Sequence, residues 1–91
     1  MNFIEIWKQV KKEIKKTFPD HAYSTWIKPI KFIGFSDEVL TIEVPNQFFY
    51  EWIQSHYHKK IQSIILSLYK KNIEIKYTIS PVQYLKEEIL N

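Results

Sequence analysis

The side chains best suited to chemistry in this chain are the carboxylate of Glu51 and the imidazoles of His56 and His58. Residues two apart on a helix point about 200° apart, so the two histidines cannot ligate one metal ion together. The chain has no cysteine, and its single glycine, Gly34, is too little for a glycine-rich phosphate loop. No nucleophile has a base and an orienting group at a recognisable spacing. We therefore expect no catalysis, no cofactor and no metal site in this chain.

Large aromatic side chains are instead concentrated in two blocks, residues 23–30 and residues 44–53. The blocks lie on either side of a predicted strand region, and each places its rings at the boundary of a helix or a strand. Large rings at fixed positions without catalytic groups are typical of a surface that binds other proteins. The pattern indicates a docking module.

The composition of the 91 residues favours one folded domain with a modest core, since 45% of them are hydrophobic and 16% are aromatic. No apolar run approaches the roughly 20 residues that cross a bilayer, and the absence of cysteine is compatible with a reducing cytosol. We expect a cytoplasmic domain with no membrane contact. The net charge of +3 comes from lysine without any arginine, which disfavours base-specific DNA recognition.

The first helix is predicted over residues 3–17, with Asn2 as its N-cap. Its apolar stripe includes Val10 and Ile14, and Trp7 lies at one flank of that stripe. Ile4 falls further from the stripe on the same side. Trp7 and Ile4 are therefore expected to share a shoulder of the helix and to leave a small apolar patch on the surface.

A second, short helix is predicted to begin at Asp20 and to end near residues 27–28, ahead of Pro29. Residues 30–35 and 39–44 then predict two strands of a hairpin, with Gly34 at a bulge or at the edge of the turn. A long helix follows from the N-cap Asn46 to residue 69 or 70, with a kink near Ser55. Both Trp26 and Trp52 lie in helical stripes and are expected in the core.

Alternating residues 73–79 predict a third strand, which joins the sheet of the hairpin. Residues 81–91 are expected to form a short helix or the start of an interdomain linker, so the domain occupies residues 1–80. The element order is helix, helix, strand, strand, helix, strand. It predicts an α+β fold with the helices packed on one face of a three-stranded sheet.

Several of these residues together resemble the N-terminal domain of the bacterial replication initiator DnaA. The resemblance covers roughly residues 6–79, and the positions that carry it are Trp7, residues 26–30, 45–48 and 51–53, and Tyr57. It implies a KH-like domain that binds proteins and is joined by a linker to an ATPase domain and an origin-binding domain. ATP would then be bound by the parent protein and not by this chain. The implied parent is an ATP-dependent initiator that binds the replication origin.

The resemblance also implies three kinds of partner. Self-association as a weak homodimer would involve Trp7, with Ile4 beside it. Contact with the replicative helicase DnaB would involve Phe48. His21, Ala22 and Tyr23 would form part of the surface that contacts the helicase or regulatory proteins. Some members of the family use an acidic residue for helicase contact at the position that Ala22 occupies here.

An alternative function is weak binding of single-stranded nucleic acid. Lysine-rich helix faces beside aromatic residues can hold single-stranded DNA by charge and stacking, and Lys59 and Lys60 are the candidate contacts. The GXXG loop of nucleic-acid-binding KH domains is absent, because Gly34 is the only glycine. Any such binding would therefore use another surface.

Overall fold

The computed structural model describes residues 3–81; the predicted N-cap Asn2 and residues 82–91 of the predicted tail lie outside them. The elements in chain order are α1 (Phe3–Thr17), α2 (Asp20–Ala22) continued by a π-helix (Tyr23–Ile27), β1 (Lys31–Ser36), β2 (Val39–Val44), α3 (Gln47–His56), α4 (His58–Tyr69) and β3 (Glu74–Ile79). The predicted α+β fold and its element order are confirmed.

The predicted end of α1 at Thr17 is confirmed, and the helix already includes Phe3, the first residue described. The second helix begins at Asp20 as expected, but most of it is a π-helix, in which Lys28 N donates to Tyr23 O over 2.9 Å. The chain then passes Pro29 and enters β1, so the predicted helix end near residues 27–28 is also confirmed.

The sheet has the order β1-β2-β3, with β1 antiparallel and β3 parallel to β2. The pairing register of β1 shifts between Phe32 and Gly34, which confirms the predicted bulge. Asp37 and Glu38 form the two-residue hairpin turn and both have positive φ, 52° and 61°. Positive φ at both central residues is the conformation that a two-residue hairpin turn requires, and here two residues other than glycine adopt it.

The predicted long helix is interrupted at Tyr57, whose φ of −123° and ψ of −16° separate α3 from α4. The predicted kink near Ser55 is thus a break two residues later. Asn46 is the N-cap of α3, as predicted, and its Oδ1 accepts a hydrogen bond from Phe49 N over 2.9 Å.

The core lies between one face of the sheet and the helices. Leu40, Ile42 and Val44 of β2 alternate with half-buried residues and are sealed against buried side chains of α1, α3 and α4. One face of the sheet therefore carries the helices, as predicted. Within residues 3–81 no helix is both long enough and apolar enough to cross a bilayer.

Candidate interaction site

Four aromatic side chains from two separate elements form one surface cluster, which we call the aromatic patch. It consists of Trp26 from the π-helix and of Phe48, Phe49 and Trp52 from α3. The rings of Trp26 and Trp52 are stacked, with centroids 5.0 Å apart and planes 12° apart. Phe49 lies 4.9 Å from Trp26, and Phe48 lies 5.9 Å from Trp26. The two sequence blocks singled out for their aromatic residues therefore meet in space.

Phe48 is the most exposed large apolar side chain among the described residues, at 61% of its full accessible area. Its position follows from the cap at Asn46, which fixes the first turn of α3 and directs the second helical residue away from the core. This exposure is compatible with the contact role that the resemblance implies for Phe48, and that role stays a prediction. Because its ring also touches Trp26 and Trp52, it is held by neighbours while most of its surface remains free.

Along α3 the patch extends by one helical turn to His56. Its imidazole stacks on Trp52 with centroids 4.0 Å apart and planes 13° apart, and its Nδ1 lies 3.1 Å from Trp52 O. His58 begins the next helix and its Nδ1 lies 2.9 Å from the Tyr77 hydroxyl. The two histidines thus contact different parts of the domain. Within residues 3–81, no three histidine or acidic side chains lie close enough to hold a metal ion.

The prediction that Trp26 and Trp52 belong to the core is wrong for Trp52 and only partly right for Trp26. Both are half-buried; Trp26 packs against the core, whereas Trp52 is covered mainly by its aromatic neighbours. The π-helix is one reason, because its wider turn buries Ile27 fully and leaves Trp26 at the rim. A helical wheel at 100° per residue does not represent that geometry.

The prediction that Trp7 lies partly exposed is wrong, since only 4% of its area is accessible. Helix α1 packs against α4, β1 and the π-helix, so neighbours cover a wider arc than the apolar stripe alone. Lys11 also lies over the indole, with Nζ 6.0 Å from the ring centroid. The exposure of Ile4, at 50%, agrees with the prediction. The self-association role of both residues stays a prediction.

Lys11 is itself anchored across the end of the π-helix. Its Nζ donates to Lys28 O over 3.2 Å and to Ile30 O over 3.5 Å. Burial lowers the pKa of Lys11, and the charge of Lys28 lowers it further. The lysine therefore links α1 to the residues that precede β1, and in this position it helps to cover the indole of Trp7.

The three residues predicted beside the helicase surface are placed differently. His21 is exposed and Tyr23 is half-buried, with Lys15 Nζ 5.7 Å from its ring centroid. Ala22 is only 5% exposed and lies in the core, which contradicts its predicted place at the surface. The reason is that α2 turns this side of its single turn toward the other helices. The contact roles of His21 and Tyr23 stay predictions.

Lys59 and Lys60 are exposed on α4 beside a groove of about 340 Å³ between α4 and the end of α1. The aromatic ring in this groove belongs to Phe18, which is only 7% exposed and lies under Lys60 at 5.7 Å. A buried ring offers no open face for a base to stack on. The lysines supply charge alone, and the contact with single-stranded DNA stays a prediction.

Comparison of the sequence with known proteins gives matches to one family. The family model of the DnaA N-terminal domain matches residues 4–67. The chain is 36% identical over 74 residues to the chromosomal replication initiator protein DnaA of Flavobacterium psychrophilum, covering 81% of this chain and 16% of that protein. It is 40% identical over 75 residues to DnaA of Geotalea daltonii, covering 82% of this chain and 16% of that protein.

A third relative, DnaA of Geotalea uraniireducens, is 37% identical over 76 residues, which cover 84% of this chain and 17% of that protein. The chain thus spans about a sixth of the length of these curated relatives. The match includes the π-helix and α3, which together form the aromatic patch, and also the sheet hairpin between them. The chain belongs to the DnaA N-terminal domain family.

Proposed function

We propose that this domain is the protein-interaction module of a replication initiator and that the aromatic patch is its docking site for the replicative helicase and for regulatory proteins. The observation that carries this proposal is the 61% exposure of Phe48 on a stacked support of Trp26 and Trp52. Interface hot spots are rigid aromatic side chains surrounded by packed neighbours. The patch has that construction. His21 and Tyr23 belong to the same proposed docking region.

The remaining functions of the initiator are assigned to other parts of the full-length protein. The chain corresponds to about a sixth of its relatives, so ATP binding and origin recognition are proposed for the sequence outside it. We also propose that initiator molecules associate weakly with one another at the origin of replication. The surface that they use is that of α1 around the exposed Ile4. In this arrangement the domain joins initiator molecules to one another and to the helicase, and it carries out no chemistry itself.

The test is a binding titration of this domain with the cognate DnaB helicase, comparing Phe48→Ala with Leu66→Ala. Leu66 is a matched control because it is 47% exposed but lies on α4, away from the patch. Removing a hot-spot ring costs about 2 kcal/mol or more, so Phe48→Ala should weaken binding roughly 30-fold or more. Both variants should keep the wild-type unfolding free energy within about 1 kcal/mol.

Equal affinity of the wild type and Phe48→Ala for the helicase would contradict the proposal for the patch. Loss of affinity in Leu66→Ala with Phe48→Ala unaffected would move the docking site to α4. A nuclear magnetic resonance titration on the same samples shows which amides respond, and the proposal requires the responses to concentrate at Trp26, Phe48 and Trp52.

A further inference from the structure

One side of β3 carries no partner strand, because β3 is at the end of the sheet order β1-β2-β3. On its paired side, Glu74 N donates to Glu38 O and Ser80 N donates to Val44 O, over 3.0 and 2.9 Å. Successive residues of a strand direct their backbone groups to opposite sides, so the even-numbered residues 74–80 bond to β2. The N–H and C=O groups of Ile75, Tyr77 and Ile79 must then point to the free edge.

A groove of about 470 Å³ runs along this edge, between β3 and α3. The helix side of the groove is formed by Gln47, Tyr50 and Gln54, and the strand side by residues 74–77 and Ile79. The side chains of Tyr50 and Tyr77 meet edge to face, with centroids 5.5 Å apart. The groove thus has an apolar floor, a wall that carries side-chain amides, and one side composed of backbone groups.

The open part of the edge has a defined length. At its beginning, Gln62 Nε2 donates to Ile73 O over 2.9 Å and occupies that carbonyl. The edge-facing backbone groups of the next three such residues, Ile75, Tyr77 and Ile79, form no hydrogen bond with the rest of residues 3–81. A segment of five or six residues, about 17–20 Å long, matches this span.

The two edges of the sheet differ in how they are protected. Bulges are a common device that prevents an edge from pairing with another chain, and the bulge of this sheet lies in β1 between Phe32 and Gly34. The register of β3 against β2 is regular from Glu74 to Ile79, and these residues include no proline. The edge of β3 is therefore the one suited to accept a further strand.

We infer that the edge of β3 binds a short extended segment of a partner protein by addition of an antiparallel strand. Side chains of that segment on the groove side would meet Ile75, Tyr77 and Ile79 and are expected to be apolar. Those on the other side would lie beside Glu74 and Lys76, neither of which forms an ion pair within residues 3–81. An acidic residue next to Lys76 and a basic residue next to Glu74 complement these charges.

This pattern specifies a probe: the capped peptide Val-Thr-Val-Glu-Val-Lys, whose three valines pair with Ile79, Tyr77 and Ile75 in turn. In the full 91-residue chain labelled with nitrogen-15, the peptide should shift the amide signals of these three residues and protect them from hydrogen exchange. N-methylation of the middle valine should weaken binding about tenfold or more, because a paired N–H is lost and a carbonyl is left unpaired. N-methylation of the glutamate, whose N–H faces away, should change the affinity by less than about twofold.

Substitution in the domain gives an independent test. Ile79→Pro removes an edge-facing N–H without removing a bond to β2, and proline is tolerated on strand edges. It should abolish peptide binding while Ile79→Val retains it, with chemical denaturation verifying that both variants are folded. Phe48→Ala should bind the peptide like the wild type, which separates this site from the aromatic patch.

Several results would overturn the inference. One is the absence of binding at millimolar peptide, and another is a response confined to Phe48 and Trp52. Exchange protection of Ile75, Tyr77 and Ile79 in the free chain at low concentration would mean that the chain itself covers the edge. Protection that grows with protein concentration would assign the edge to a second copy instead of a peptide.

Discussion

Replacing Trp7 by alanine should remove a large part of the unfolding free energy of this domain and not merely a surface contact. The side chain is 4% exposed and its neighbours include Lys11 and the helices around α1. Truncation of a buried tryptophan to alanine costs about 3–5 kcal/mol. A domain of 91 residues has a total unfolding free energy of about 5–14 kcal/mol, so the loss is about a fifth of it or more.

Two companion variants isolate the cause. Ile4→Ala truncates a side chain that is 50% exposed and should cost about 1 kcal/mol or less. Trp7→Phe keeps most of the buried ring and also removes Nε1, which is buried without a hydrogen-bond partner among the described residues. It should therefore cost clearly less than Trp7→Ala, because the unpaired donor no longer has to be desolvated.

The assay is urea denaturation followed by circular dichroism at 222 nm, since removing a tryptophan alters fluorescence directly. At about 4–8 °C per kcal/mol, the melting temperature of Trp7→Ala should also fall by at least about 12 °C. Sedimentation velocity on the same samples then tests self-association: Ile4→Ala should lower it while the domain stays folded. A cost below about 1 kcal/mol for Trp7→Ala would refute the burial argument. Unchanged association in Ile4→Ala would contradict the role proposed for the α1 surface.

Two further predictions concern α3 and β3. Asn46→Ala should lower the unfolding free energy by about 1 kcal/mol and Asn46→Gly by only a few tenths, because the cap bond to Phe49 N is lost; urea denaturation measures both. Burial raises the pKa of Tyr77 above its ordinary value of 10.0, with Tyr50 adding to the shift. The neutral hydroxyl thus stabilises the fold below pH 10, and this stability is lost at higher pH. The unfolding free energy of Tyr77→Phe should fall less steeply above that pH than the wild type's, and equal slopes would contradict the assignment.

The aromatic patch explains why both sequence blocks carry large rings although they are separated by a hairpin. The π-helix and α3 are each fixed at one end, by the bond from Lys28 N to Tyr23 O and by the cap at Asn46. Stacking then holds the rings in place at small entropic cost before any partner arrives. A preformed cluster of this kind binds with less loss of side-chain freedom than flexible residues would.

Local signals in the sequence predict most of the elements, but not the break at Tyr57 in the predicted long helix or the π-helix at Tyr23–Ile27. The apolar periodicity of α1, the alternation in β2 and β3, the cap at Asn46 and the bulge at Gly34 all appear as predicted. Each depends on residues within a few positions of one another, where backbone sterics and side-chain direction decide the outcome. The resemblance to the DnaA family rested on the same positions, and the family match over residues 4–67 confirmed it.

The exposure of individual rings was decided by the tertiary structure. Helical periodicity predicts a partly exposed Trp7 and a buried Trp52, and both predictions are wrong because periodicity contains no information about how many neighbours a helix has. Helix α1 is covered on several sides, whereas the ring of Trp52 packs against the half-buried Trp26 and against two exposed side chains of its own helix, Phe48 and His56. The sequence by itself determined which segments become helices and strands and which family they form. Only long-range packing determined which apolar side chains remain at the surface, because burial depends on contacts between residues far apart in the chain.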